Sequence, residues 1–291
     1  MTGKAVRGPT YGELIRISER DGRWQQVRVD LTRHGVAVLY ARLADWRPDR
    51  AAGPRLRALL GRDWARYLDL THPDVRRRFA ASRVLLKYAA GQVLDVPPDS
   101  VELGYGATGR PYLRGYDAVD ISLSHTDDLL LVGLTTRGVI GVDAERADRP
   151  MYSTGLGKHV CTPHELDLLE GLDPAERDDA LVRVWTLKEA YSKARGLGMQ
   201  FRFTEFGFRP GSDPTGLDRP DGEPGTGTEW SFRTYVVDED YIVSVAVGDA
   251  GFGGTDDTAA SSMLDGGFVD MLTEVLGGDD PQDEEDPWDT W

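Results

Sequence analysis

Residues 184–199 read VWTLKEAYSKARGLGM, and this stretch constrains the chain more than any other. Leu187, Lys188, Glu189, Ala190, Lys193 and Ala194 are good helix formers, and no proline interrupts them. A helix is predicted over about Trp185 to Arg195. Gly196 and Gly198 end it, because glycine accepts the left-handed backbone of a helix cap. Glu189 and Lys193 are four apart, and Trp185 lies one turn earlier. One helical face therefore carries a carboxylate, an amine and a large aromatic. A Glu–Lys pair at that spacing is also the commonest stabilising pair on a solvated helix, contributing about 0.2–0.5 kcal/mol. The rest of the chain must decide between the two readings.

The chain has 291 residues, 40% of them hydrophobic, enough for one large domain or two ordinary ones with a real core. Its formal charge of −15 is unevenly spread: residues 251–291 hold twelve Asp and Glu and no Lys or Arg, which leaves about −3 for residues 1–250. The body is nearly neutral, and nothing in it calls for a nucleic-acid partner. The single cysteine, Cys161, excludes an internal disulfide and fits a reducing compartment; it reads as a buried thiol rather than a nucleophile. The N-terminal MTGKAVRGPTYGE has no apolar leader, and no apolar run is long enough to cross a membrane. A soluble cytoplasmic protein is expected.

Taken in order, residues 1–34 read as a polar N-terminal extension with an edge strand at Arg23–Leu31. Val36–Leu43 is a strand, Arg55–Leu68 a helix, and residues 75–94 a longer amphipathic helix whose first turns carry Arg76, Arg77, Arg78 and Arg83. Cations there oppose the helix dipole and ask for an anionic partner. GATGRPYL at 106–113 is a glycine-punctuated turn presenting Arg110. VDISLS at 119–124 alternates apolar and polar, then runs into a polar loop at His125–Asp128. Leu129–Leu134, a turn, and Val139–Val142 read as strand, turn, strand. Residues 150–183 look helical and acidic, Phe201–Phe208 and 230–247 supply further strands, and 210–228 is a loop. Residues 250–291 read as an acidic, disordered tail with one amphipathic stretch at 268–276.

Asp143 and Glu145 are two apart where an apolar strand emerges, so both side chains point one way. Charges at a strand end are commonly just solvated. Joined by Glu189, however, three carboxylates would repel one another unless a cation sat among them. Oxygen-only ligands favour Mg²⁺, with Mn²⁺ as a substitute, and Mg²⁺ usually binds substrate phosphate too. Lys188, Lys193, Arg110, His125 and the Arg76–Arg78 cluster supply cations suited to a pyrophosphate. The residues point to Mg²⁺-dependent chemistry on a phosphoanhydride, and leave open a phosphohydrolase or a non-catalytic binding module for such a ligand.

Four motifs stand in order: GRPYL (109–113), SLSHT (122–126), IGVDAER (140–146) and WTLKEAYSKARGLGM (185–199). With them the chain, over roughly residues 36–248, resembles the 4′-phosphopantetheinyl transferases of the larger, Sfp-like type. The resemblance implies an α+β pseudo-dimer: two similar α/β halves, 35–139 and 140–249, with the active site in the cleft between them. It implies transfer of the 4′-phosphopantetheine group from coenzyme A to a serine of an acyl or peptidyl carrier protein, with release of 3′,5′-ADP. By similarity, Asp143, Glu145 and Glu189 hold Mg²⁺, Glu189 is the base, directly or through water, and Lys193 stabilises phosphoryl charge. Arg78, Arg110, Ser124, His125 and, less securely placed on its helix, Lys188 would contact the nucleotide. Arg110 stands where the family often has Lys, and a guanidinium binds phosphate with different geometry. The resemblance further implies a monomer and a carrier presenting an acidic helix beside the modified serine.

Overall fold

The computed structural model describes residues 11–46, 53–196, 202–210, 214, 216–225 and 229–249. A two-residue strand, β1 (Ile15–Arg16), and helix α1 (Trp24–His34) precede the long strand β2 (Val36–Arg42). The Arg23–Leu31 stretch is thus a helix and not the expected edge strand. Trp24, Val27 and Leu31 are its buried apolar residues, at spacings of three and four, and that period outweighs the local alternation of Val27 and Val29. Gly35, at φ 70°, closes α1 with its N–H on Leu31. Read as an extension, this segment is instead built into the first core.

Helices α2 (Pro54–Leu60) and α3 (Asp63–Asp69) replace the single helix expected there, because Gly61 breaks it at φ 54°. Helix α4 (Pro73–Leu94) starts with His72 as its cap, the imidazole accepting from the Asp74 N–H. Strands β3 (Leu103–Tyr105) and β4 (Pro111–Leu113) form a small hairpin around the glycine turn. Strand β5 (Asp120–Thr126) runs through His125 and Thr126, which the sequence placed in a loop; the turn is confined to Asp127 and Asp128. Strands β6 (Leu129–Thr135) and β7 (Gly138–Arg146) follow.

The first sheet has the order β1-β2-β6-β5, parallel at β1–β2 and antiparallel elsewhere. Beyond β7 lie α5 (Gly157–Val160), α6 (Pro163–Glu170), α7 (Arg177–Arg195), β8 (Trp230–Val237) and β9 (Tyr241–Asp249). The second sheet, β7-β9-β8, is antiparallel throughout. Phe203–Glu205 is a short 3₁₀ turn and not a strand; Phe203 and the following Phe206 pack on α7 in tilted contacts with Trp185 and Tyr191. The acidic tail and its 268–276 stretch lie outside the described residues.

Apolar side chains sort these elements. One face of the first sheet packs with α1 and α4 around Trp24, Leu39, Leu85, Leu86, Ile121 and Val132. The opposite face, Val36, Val38, Leu129 and Leu131, packs against Ile140, Val142, Val243 and Val245 of the second sheet. Helix α7 covers that sheet's far side through Leu187, Ala190, Tyr191 and Ala194. Among the described residues, no helix is long and apolar enough to cross a membrane.

Candidate active site

Strand β5 carries a polar side chain at every second position: Asp120, Ser122, Ser124 and Thr126. These face β7, an edge strand of the other sheet, and join the two sheets without a backbone ladder. The Ile140 N–H donates to Asp120 at 2.8 Å and the Val142 N–H to the Ser122 hydroxyl at 3.1 Å, while Thr126 donates to the Ala144 carbonyl at 2.6 Å. The alternation in VDISLSHT therefore marks an inter-sheet seam rather than a solvated face.

On the other side of β7, α7 approaches at Gly141. A Cβ there would lie 1.8 Å from the Ala190 carbonyl oxygen and 2.5 Å from the Ala194 nitrogen. Strand and helix thus meet backbone to backbone, which brings Glu189 and Lys193 beside Asp143 and Glu145.

A cavity of about 510 Å³ opens where β5, β7, α7 and the glycine turn meet. Its wall includes Ser124, His125, Asp143, Glu145, Trp185, Glu189 and Lys193, with Arg83, Thr108, Arg110 and Arg149. Seven of the nine expected site residues line it. Arg78 does not, although its guanidinium lies near enough to help push His125 down, and its buried Nε has no hydrogen-bond partner.

Lys188 is the clear correction. Its side chain is 0% exposed, and its ammonium donates to Glu165 at 2.6 Å and to the carbonyls of Val160, Phe203 and Phe206 at 2.6–2.9 Å. One residue before Glu189, it points about 100° around the helix and into the protein. A charge so placed is structural: removal from water demands a partner, and Glu165 supplies it. Glu165 also caps α6 in a reciprocal pair with Thr162 and accepts the Phe208 N–H at 2.7 Å. Cys161 lies nearby, buried, with its thiol pushed up to about 12 by burial and by Glu165, which leaves it inert as a nucleophile.

The carboxylates line one cavity but are not assembled into a cage. Among the described residues, no three His, Cys, Asp or Glu side chains already form a metal-binding cluster. The protein's own cations intervene. Lys193 donates to Asp143 at 2.6 Å and to Ser124 at 3.0 Å, and Glu145 accepts from Arg149 and from the Arg146 N–H. Glu189 is hydrogen-bonded by no described residue. Burial and the Asp143 charge raise its pKa to about 6, against the opposing pull of Lys193. The donor set still fits a hard divalent ion: three carboxylates line one cavity, one of them without a hydrogen-bond partner among the described residues and disfavoured as an anion.

His125 sits among cations. The surrounding protein, then Arg83, Lys193 and Arg78, push its pKa below the ordinary value, which favours the neutral imidazole. Arg83 is held by the Tyr105 hydroxyl at 3.0 Å, which itself donates to Asp63 at 2.7 Å. That concentration of positive charge suits an anion. From sequence, Arg83 stands only among the cations of the first turns of α4 that ask for an anionic partner, and Asp120, Thr108 and Arg149 are not singled out. The available signal for Arg83 was a charge four residues after Phe79 on the buried face of α4, and for Asp120 the polar alternation of β5. Arg149 carried none.

The model of the 4′-phosphopantetheinyl transferase superfamily matches residues 139–246. The chain is 33% identical to the 4′-phosphopantetheinyl transferase HetI of Nostoc sp. over 185 residues, 62% of this chain and 74% of that protein. It is 25% identical to a 4′-phosphopantetheinyl transferase of Bacillus subtilis over 183 residues, 62% of this chain and 78% of that one. A crystal structure of a holo-(acyl-carrier-protein) synthase from Bacillus anthracis aligns over 38% of this chain and 95% of that one, at 22% identity and a TM-score of 0.29, too low to carry a structural argument. From the superfamily match and the extent of its identity with HetI, the chain belongs to the 4′-phosphopantetheinyl transferase superfamily and is a transferase of that kind.

Proposed function

We propose that the enzyme transfers the 4′-phosphopantetheine group from coenzyme A to a serine of an acyl or peptidyl carrier protein, releasing 3′,5′-ADP, with Mg²⁺ required. One observation carries the reading: Asp143, Glu145, Glu189 and Lys193 line a single cavity together with His125 and Arg83. Acid for a metal and cation for phosphate thus face the same space. The two halves, 35–139 and 140–249, each set antiparallel strands against one long helix, α4 or α7, which supports a pseudo-dimer with the substrate in the cleft. The enzyme acts as a cytoplasmic monomer, and its protein partner presents an acidic helix beside the target serine.

Asp143, Glu145 and Glu189 would hold Mg²⁺, with Mn²⁺ as a substitute, and a bound ion supplies charge neutralisation at the pyrophosphate and at the leaving phosphate. Glu189 takes the proton of the incoming serine hydroxyl, directly or through a water; a carboxylate near pH 6 is ionised at neutral pH and still basic enough. The serine oxygen forms a bond to the phosphorus bearing pantetheine, and the bridging P–O bond breaks. Its electron pair leaves with 3′,5′-ADP. Lys193 exchanges Asp143 for the phosphoryl oxygens as charge grows there. Ser124 and His125 contact the nucleotide phosphates from the cavity wall, and Arg78, whose buried Nε has no hydrogen-bond partner, adds positive charge behind His125. Arg149 releases Glu145 for the metal.

The test is mass spectrometry of a panel of apo carrier proteins incubated with coenzyme A and the full chain, with and without Mg²⁺. A phosphopantetheine mass increment that appears only with the divalent ion is expected. Cleavage of coenzyme A with no increment on any carrier would instead assign a phosphohydrolase.

A further inference from the structure

We infer that Arg110 and Asp120 form a clamp that positions the catalytic end of α7, so that Arg110 acts chiefly on the placement of Glu189 and Lys193 rather than as a substrate ligand. The C-terminal carbonyls of a helix lack partners within it. At the end of α7 the Gly196 N–H reaches the Ser192 and Lys193 carbonyls, and the glycine turn adds further donors. Arg110 donates through Nε to the Lys193 carbonyl at 2.8 Å, and the Thr108 hydroxyl donates to the Gly196 carbonyl at 2.7 Å. The same guanidinium grips both oxygens of Asp120, at 2.9 and 2.5 Å, and donates to the Ile140 carbonyl at 2.9 Å. Asp120 closes the circuit by accepting the Ile140 N–H at 2.8 Å.

One side chain thus ties together the start of β5, the start of β7 and the end of α7. Those three elements carry Ser124 and His125, Asp143 and Glu145, and Glu189 and Lys193. The clamp also spends four of the five guanidinium N–H groups, leaving one on Nη1 for anything in the cleft. A lysine could not make the same set of bonds. Three donors radiating from one nitrogen do not match a carboxylate and two carbonyls arranged around a planar fork.

The kinetic part of this inference rests on coenzyme A being the substrate, so its test includes a readout that does not. Four variants of the full chain serve: Arg110→Lys, Arg110→Gln, Asp120→Asn and the milder Thr108→Val, each checked for folding by circular dichroism. Hydrogen exchange of the backbone amides at 190–196 is expected to accelerate in all four, least in Thr108→Val. In the transfer assay, Arg110→Lys and Asp120→Asn are expected to lower kcat by about 10²-fold, the scale of a misplaced catalytic group. KM for coenzyme A should move less than about 3-fold, since binding groups are retained. Arg110→Gln combined with Asp120→Asn should cost no more than the worse single change, because both break one network. Unchanged exchange at 190–196 overturns the clamp, whether or not the wild type transfers anything. So does a rise of about 10-fold or more in KM with kcat intact, which would make Arg110 a substrate ligand. A wild-type enzyme that leaves every carrier unmodified defeats the proposed reaction, and the exchange result then judges the clamp alone.

Discussion

Lys193 reaches Asp143 on the neighbouring strand at 2.6 Å, and is not paired with Glu189 one turn before it on its own helix. The spacing that makes Glu–Lys an ordinary surface pair is therefore present in the sequence and unused in the fold. The ammonium holds part of the charge that a divalent ion would neutralise, and in the proposed reaction it would move as the ion and the substrate arrive. Lys193→Met is expected to tighten Mn²⁺ binding in the absence of coenzyme A by about 10-fold, as loss of one nearby positive charge does for a carboxylate. Titration followed by electron paramagnetic resonance measures it. The same variant should transfer at least about 10²-fold more slowly, for want of charge on the phosphoryl oxygens. Weaker Mn²⁺ binding would mean that Lys193 helps build the metal site.

Glu189 sets a stability cost against its function. Its pKa rises from 4.5 to about 6 on folding, so protonation stabilises the native state and ionisation opposes it. The cost is absent below about pH 4.5, where the carboxyl is protonated folded or unfolded, and complete above about pH 6. Glu189→Gln removes it. In chelator-treated buffer the variant should be more stable than the wild type at pH 8, by at most about 2 kcal/mol and with a higher Tm, and should match its Tm at pH 4. Its transfer activity should be nearly abolished. An equal Tm at both pH values would show that the metal-free site does not strain this carboxylate.

Gly141 has no room for a side chain. The Cβ of Gly141→Ala would fall 1.8 Å from a backbone oxygen of α7, and backbone cannot swing aside as a flexible side chain can. The helix must lift from β7, at a cost of about 1–3 kcal/mol typical of overpacking, and Glu189 and Lys193 lift with it. Urea denaturation and steady-state transfer measured together should show a loss in both. Full activity in a destabilised variant would mean that the cleft tolerates the shift.

Breaking the Lys188–Glu165 pair should destabilise the fold without touching the chemistry. Lys188→Met strands a carboxylate that is 1% exposed, and such losses run to about 3–5 kcal/mol. Adding Glu165→Gln should recover part of it, because the stranded charge is then gone. KM for coenzyme A of the folded fraction should stay within about twofold. A large rise in KM with stability unchanged would return Lys188 to the cleft.

The contrast between Lys188 and Glu189 shows where sequence reasoning reached and where it stopped. Helical period alone places Glu189, Lys193 and Trp185 on one face, and strand period alone points Asp143 and Glu145 the same way; both periods are local and survive folding. What Lys188 meets on its own face depends on Glu165 and on the 203–206 turn, brought in from outside the helix, and no local pattern announces that. Arg149 was invisible for the same reason. The Arg23–Leu31 error had another source. Its buried residues are few and its alternating valines mimic a strand, so the competing periods were close in strength. The polar face of β5 was legible as alternation, but its destination, an edge strand of another sheet, was not.

The burial of Lys188 has a practical side. The chain has five lysines, of which Lys87 and Lys188 are 3% and 0% exposed. Among the described residues, that leaves Lys158 on the outer surface and Lys193 in the cleft as the amines an acylating reagent can reach. Those two amines report occupancy of the cleft: a label that stops arriving at Lys193 while still arriving at Lys158 tells when the cavity is filled.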